Sequence, residues 1–239
     1  MTLTTRSDKT AVIFDMDGLL LDTEKICLDC FVETRRSFGL SDSPDVFLQC
    51  IGLRGKKAKS IIFESLDNGV TIEEFSRVWN ITLTNRLDGD IPIKNGVEPL
   101  IKALRAKNIP IAVATSTDFR HAQDQLRRTG LLPHFQCVIG GDMVQNHKPD
   151  PEIYLRTAKE LNCEIRDCFA FEDSDAGTRA AFTSGATTIQ VPDLTTPSDE
   201  VRNLGHLIAP DVLSGAIKAG LISRLDLSES QLKIDSHST

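Results

Sequence analysis

Apolar residues follow two different patterns along this chain. Short, nearly continuous runs occur at residues 11–14, 111–114, 137–140, 168–171 and 187–191, with a weaker one at 206–209. They are bounded by Gly, Asp, Ser or Pro, and runs of this kind suit strands buried on both faces, as in a parallel sheet covered by helices. Between them the spacing changes. Val97, Leu100, Ile101 and Leu104 fall at i, i+3, i+4 and i+7, and Ile153, Ala158 and Leu161 follow a similar, weaker pattern. Alternating strand and helix patterns predict an α/β fold: a doubly wound, mainly parallel, Rossmann-like sheet core.

The alternation breaks once. After the run at 11–14 no comparable strand pattern returns until Ile111. Residues 23–38 carry Ile26, Cys30, Phe31 and Phe38 and stop at Gly39, and residues 56–66 carry Ala58, Ile61, Ile62 and Leu66. Residues 71–87 place Ile72, Phe75, Trp79, Leu83 and Leu87 on one stripe. These are helical periods. The pattern predicts a discontinuous core over residues 10–22 and 92–225, an inserted all-helical cap domain over 23–91, and flexible tails at 1–9 and 226–239.

Composition narrows the function. The 239 residues carry 27 Lys and Arg against 34 Asp and Glu, a formal net charge of −7. No cationic footprint for nucleic acid is present. No apolar run approaches the 18 residues of a membrane span, and the polar start lacks a signal-peptide apolar region. The expectation is a cytoplasmic protein, monomeric or weakly dimeric, with no membrane or nucleic-acid partner. Six cysteines are scattered along the chain. Cys27 and Cys30 form a C-x-x-C, but a structural zinc site needs a second ligand pair and none has suitable spacing, so they read as small residues on a helix face.

Four predicted strand ends carry chemistry. Asp15-Met16-Asp17-Gly18 offers two carboxylates and a turn-permitting Gly, and Thr115-Ser116-Thr117 offers hydroxyls and N–H groups where a helix begins. Lys148-Pro149 supplies a cation, and Glu172-Asp173-Ser174 a second acidic pair. Clustered carboxylates repel unless a cation lies between them, and an oxygen-rich set suits Mg²⁺ together with a substrate phosphate. Lys and hydroxyl groups suit phosphate oxygens, and a carboxylate can attack phosphorus.

These stretches, with Lys148-Pro149-Asp150-Pro151 and Glu172-Asp173-Ser174-x-x-Gly177, resemble the four ordered motifs of the haloacid dehalogenase-like hydrolases. The helical insertion resembles the cap of the phosphoglycolate phosphatase and β-phosphoglucomutase branch. The run Asp15-Met16-Asp17-Gly18-Leu19-Leu20-Leu21-Asp22-Thr23-Glu24 is most similar to phosphatases of sugar phosphates and of pseudouridine 5′-phosphate. The resemblance implies a Mg²⁺-dependent phosphatase of small phosphorylated metabolites working through an aspartyl-phosphate. Asp15 would be the nucleophile and Asp17 the general acid and base. Thr115 and the Ser116 N–H would bind the phosphoryl group, and Lys148 would balance charge. Asp15, the Asp17 carbonyl, Asp173 and Glu172 would form the metal site.

Gly52-Leu53-Arg54-Gly55 resembles the branch's specificity loop, so Arg54 and Gly52 are expected to touch substrate. Lys56, Lys57 and Lys59 read as a solvated face, Arg77 as a surface ion-pair partner and Trp79 as core. Family members often have Gly where this chain has His147, which reads as incidental. A β-phosphoglucomutase-type mutase shares all four motifs. Such mutases typically carry His four residues after the Thr aligned with Thr23, and this chain has Cys27 there. Dehalogenase activity and a non-enzymatic binding role are weaker alternatives, because the acidic pair and the intact motifs point to phosphate turnover.

Overall fold

The computed structural model describes residues 10–51, 56–67 and 69–227. The chain begins with β1 (Ala11–Phe14) and then runs through α1 (Thr23–Ser37), α2 (Pro44–Leu48), α3 (Lys56–Glu64) and α4 (Ile72–Leu87) before α5 (Val97–Ala106) and β2 (Ile111–Ala114). It continues with α6 (Phe119–Arg128), β3 (Cys137–Ile139), α7 (Glu152–Glu160), β4 (Cys168–Glu172), α8 (Asp175–Ser184) and β5 (Thr187–Gln190). It closes with α9 (Asp199–Arg202), β6 (Leu207–Ile208) and α10 (Val212–Lys218).

The six strands form one parallel sheet in the order β3-β2-β1-β4-β5-β6. β1 lies between β2 and β4, and the strand order reverses beside it. In such a sheet the crevice at the carboxyl ends of the strands flanking this switch is where ligands bind. The register pairs Phe14 with Phe171, and the Asp15 N–H donates to the Phe171 carbonyl at 2.9 Å. The acidic ends of β1 and β4 therefore meet directly.

Alternate residues of each strand serve opposite faces. Val12, Phe14, Val113, Phe171 and Ile189 pack with α5 and α10 through Leu100, Leu104, Val212 and Leu213. Ala11, Ile13, Ala112, Ala114 and Ala170 pack with α7 and α8 through Ile153, Tyr154, Ala180 and Ala181. Small strand residues on this second face let those helices approach closely. Helices α1–α4 bury a third cluster, centred on Phe31, Phe47, Ile62 and Phe75, with Trp79 and Leu194 against it. Phe31 meets Phe75 and Trp79 edge to face at 5.5 and 5.4 Å. A capping box between Thr71 and Glu74 starts α4 where the pattern begins.

Several boundaries differ from the sequence reading. β3 stops one residue early, and β4 runs one further because Glu172 pairs with Gln190. β6 is only two residues long. Helix α6 has no apolar stripe to announce it: in FRHAQDQLRR only Ala122, Gln125 and Leu126 are buried. Helix α8 is equally silent, since its buried positions include Gly177, Thr178 and Ala180. Among the described residues no helix is long and apolar enough to cross a membrane.

The aromatic cluster stands apart from the two sheet faces, so its loss should be local in origin and large in cost. Phe31→Ala is expected to lower unfolding free energy by about 3–5 kcal/mol in a urea titration. A change below about 1 kcal/mol would contradict a close-packed insertion.

Candidate active site

Lys148 enters the switch point from the segment before α7. Its Nζ donates to Asp15 Oδ1 and Glu172 Oε1, each at 2.6 Å, and to the Ala114 carbonyl at 3.0 Å. One ammonium thus ties the ends of β1, β2 and β4. The Tyr154 hydroxyl, fully buried on α7, also donates to Glu172 Oε1. Nothing in the motif pattern announces Tyr154, because its helical position reads as core.

Asp15, Glu172 and Asp173 are 6%, 0% and 6% exposed, and one oxygen from each lies within 4.8 Å of the others. Glu172 Oε2 is buried without a hydrogen-bond partner. Two glycines make room. A Cβ on Gly18, whose φ is +79°, would sit 2.5 Å from Asp173 Oδ2, and one on Gly177 would overlap the Glu172 carboxylate. Three buried carboxylates against one ammonium leave an excess of negative charge. An all-oxygen set with an orphaned carboxylate oxygen fits a hard divalent cation such as Mg²⁺.

Asp17 is held differently. Its Oδ1 accepts from Thr23 Oγ1 at 2.7 Å, and its Oδ2 accepts from Thr115 Oγ1 at 3.1 Å and Thr117 Oγ1 at 2.8 Å. These hydroxyls fix the carboxylate away from Lys148. Thr115 is fully buried, whereas Ser116 and Thr117 line the cavity beside it. Thr117 is a site residue that the sequence reading left without a role.

The cavity has a volume of about 880 Å³ and runs from Asp15, Asp17, Lys148 and Asp173 to a wall to which α1, α2, α3 and α4 all contribute. Lys59, read as a solvated side chain, is exposed but lines this cavity. Trp79 is both packed among aromatic rings and on the cavity wall, so its core assignment is incomplete. Arg77 and His147 are exposed and lie outside the cavity wall. Gly52 and Arg54 lie outside the described residues. Cys27 and Cys30 are free thiols, and burial pushes both above the usual thiol range.

Burial drives the carboxyls of Asp15 and Asp173 well above the ordinary carboxylate range. Lys148 opposes the rise in both, while Glu172 adds to it. Burial alone would lower Lys148, yet Asp15 and Glu172 hold its pKa above the ordinary value. Glu24, on the cavity wall, is pushed up to about 7 by burial and then by Asp17 and Asp193.

A raised carboxyl pKa favours the folded state at low pH. The Glu24 contribution is fully present below the ordinary 4.5 and is lost as pH rises through about 7. In metal-free buffer, urea titrations at pH 5 and 8 should show the wild type losing up to about 3 kcal/mol relative to Glu24→Gln. Equal pH dependence in the two proteins would remove the buried-carboxyl account of Glu24.

The chain matches the family of haloacid dehalogenase-like hydrolases over residues 12–191. It is 34% identical to the phosphorylated carbohydrates phosphatase of Thermotoga maritima over 73% of this chain and 81% of that one. It is also 34% identical to a Saccharomyces cerevisiae protein provisionally described as a pseudouridine-5′-phosphatase, over 76% of this chain and 82% of that one. A solved Thermotoga maritima structure, provisionally described as a β-phosphoglucomutase, superposes with a TM-score of 0.72 at 30% identity, covering 89% of this chain and 98% of its own. With the match spanning the segments that bear Asp15, Lys148 and Asp173, the chain belongs to the haloacid dehalogenase-like hydrolases.

Proposed function

We propose that this protein is a phosphatase of small phosphorylated metabolites, sugar phosphates or related monophosphates, working through an aspartyl-phosphate. The observation that carries this reading is the division of labour between two carboxylates. Asp15 is paired with Lys148 at the switch point, while Asp17 is held apart by the hydroxyls of Thr23, Thr115 and Thr117.

In the first step an Asp15 oxygen attacks phosphorus, and the bond from phosphorus to the ester oxygen breaks. The departing oxygen takes a proton from Asp17, so the alcohol leaves neutral. In the second step Asp17 accepts a proton from water as that water attacks the phosphorus, and the Asp15 carboxylate is released with inorganic phosphate. The Thr115 hydroxyl and the Ser116 N–H would hold the phosphoryl oxygens, and Lys148 offsets charge on Asp15 throughout. Mg²⁺, held by Asp15, Asp173, Glu172 and the Asp17 carbonyl, would supply positive charge where two anions must meet. The wall formed by the helical insertion keeps bulk water from the phosphorylated carboxylate.

A phosphosugar mutase uses the same core, and the similarity to a structure described as a β-phosphoglucomutase keeps that reading as the alternative. Cys27 argues against it. It stands on the cavity wall where such mutases typically carry His, and burial keeps its thiol protonated at neutral pH. Proton transfer at that position then has no suitable group.

Wild-type protein with Mg²⁺ is expected to release phosphate from a panel of sugar phosphates and nucleoside monophosphates, and EDTA to abolish release. Asp15→Asn should lower kcat by roughly a thousandfold or more while leaving the fold intact by circular dichroism. Full activity in Asp15→Asn would remove the covalent mechanism. Isomerisation of a hexose 1-phosphate dependent on a bisphosphate primer, without net phosphate release, would establish the mutase instead.

A further inference from the structure

The lysine on which the carboxylate cluster depends is carried by an open loop. Gln145, Asn146 and His147 are exposed, yet the Lys148 side chain that follows them is only 6% exposed. Its long, rotamer-rich side chain reaches Asp15 and Glu172 at 2.6 Å, and that reach holds only while its backbone stays in place. The group that fixes the backbone is Glu152, in the first turn of α7. One carboxylate oxygen accepts the Gln145 N–H at 2.9 Å. The other accepts the Asn146 N–H at 2.8 Å and the Asn146 side-chain amide at 3.1 Å. Among the described residues, no other acceptor takes a backbone N–H between Val144 and Lys148. The same N–H groups hold the Glu152 carboxyl below the ordinary carboxylate range, so it remains an acceptor at neutral pH.

The other end of the loop closes onto the same turn. The Asp150 N–H donates to the His147 carbonyl at 3.0 Å, and Asp150 Oδ1 accepts the Glu152 N–H at 2.9 Å. Lys148 is thus flanked on both sides by contacts that end on Glu152. Next along α7, Tyr154 donates to Glu172 Oε1, and its ring centre lies 5.3 Å from Lys148 Nζ. The first turn of α7 therefore presents Glu152 to the backbone of the lysine loop and Tyr154 to the lysine's ammonium and its partner. Bonds from an ionised carboxylate to neighbouring amides are among the stronger of their kind. Their larger consequence is positional, because a displacement of about 1 Å can cost roughly a hundredfold in rate.

We infer that Glu152 is a positioning residue for phosphoryl transfer, holding the loop before Lys148 so that the ammonium meets Asp15 and Glu172. The inference rests on the role given to Lys148 in the phosphatase reading above. It adds to that reading a residue that lies outside the cavity wall and acts only through the lysine.

The test is a double-mutant cycle between Glu152→Ala and Lys148→Met, read by hydrolysis of p-nitrophenyl phosphate with Mg²⁺. Glu152→Ala alone should lower kcat about ten- to a hundredfold and leave KM within about threefold. In the Lys148→Met background it should cost less than about twofold more, because the group it positions is gone. A purely structural role predicts the same factor in both backgrounds. That result, or a wild-type kcat in Glu152→Ala, overturns the inference. Melting temperatures of the same proteins in EDTA read the coupling without turnover. Glu152→Ala should lower the wild-type value by about 2–4 °C and the Lys148→Met value by less than half as much, and equal losses overturn the inference. If Lys148→Met does not fold, Glu152→Gln decides, since it keeps one acceptor oxygen. Its kcat should fall between those of wild type and Glu152→Ala at unchanged KM, and a value equal to wild type overturns the inference. A wild type that releases no p-nitrophenol overturns the phosphatase reading itself, and the melting cycle then decides separately whether Glu152 positions Lys148.

Discussion

A single ammonium, Lys148 Nζ, is placed among three carboxylates that the fold has taken out of water. Two of its contacts are ion pairs of 2.6 Å, strong in a low-dielectric setting. They do not neutralise the cluster, because Asp173 remains and Glu172 keeps an orphaned oxygen. Burial pulls Asp15 and Asp173 upward, and the neighbouring carboxylates add to it. Protein alone can relieve it only by holding protons, and a protonated Asp15 is a poor nucleophile. A divalent cation relieves it while leaving the carboxylate free to react. The same excess charge that weakens the metal-free fold suits the cluster to a divalent cation.

Everything around the cluster serves its placement. The parallel register of β1 on β4 brings Asp15 beside Glu172, and Tyr154 reaches up from the helix beneath. Gly18 and Gly177 are the positions at which a side chain would occupy the carboxylates' space. The helical insertion is bound to this core across the seam. Its two linkers pair at Leu21 and Ile93, Lys94 reaches both Asp22 and Asp193, and Arg128 donates to the carbonyls of Leu87 and Gly89. Leu194, from the loop after β5, packs into the insertion's aromatic cluster. The cavity at this seam is lined by Asp15, Asp17, Lys148 and Asp173 at one end and by apolar side chains of the insertion at the other.

Much of this architecture is legible in the sequence for a physical reason. Strands buried on both faces leave unbroken apolar runs, and α4 must show its stripe because one side of it is packed against Phe31 and Phe47. The carboxylates that follow β1 and end β4 are legible because they interrupt buried apolar runs at the sheet edge where ligands bind. What escaped the reading depends on the third dimension. Helices α6 and α8 pack through Gln and small residues, which leave no hydrophobic period. Tyr154 looks like core until its hydroxyl is seen on Glu172. Glu24 and Thr117 belong to the site through turns that one-dimensional spacing does not reveal. Trp79 was read as core from its stripe, and only the cavity shows its other side. Gly52 and Arg54, expected from the resemblance to touch substrate, lie outside the described residues.

The central claim is that the buried carboxylates carry more charge than Lys148 balances and that a divalent cation makes up the difference. Thermal unfolding of wild type and Asp173→Asn, each with EDTA and with saturating Mg²⁺, tests it directly. Binding at a hundred times Kd is worth about 2.7 kcal/mol, which corresponds to a rise of about 5–10 °C for the wild type. Asp173→Asn should melt above the wild type in EDTA, having lost a buried titratable carboxyl, and gain less than about 2 °C from Mg²⁺. A wild type indifferent to Mg²⁺, or a variant that gains as much as the wild type, would contradict the account.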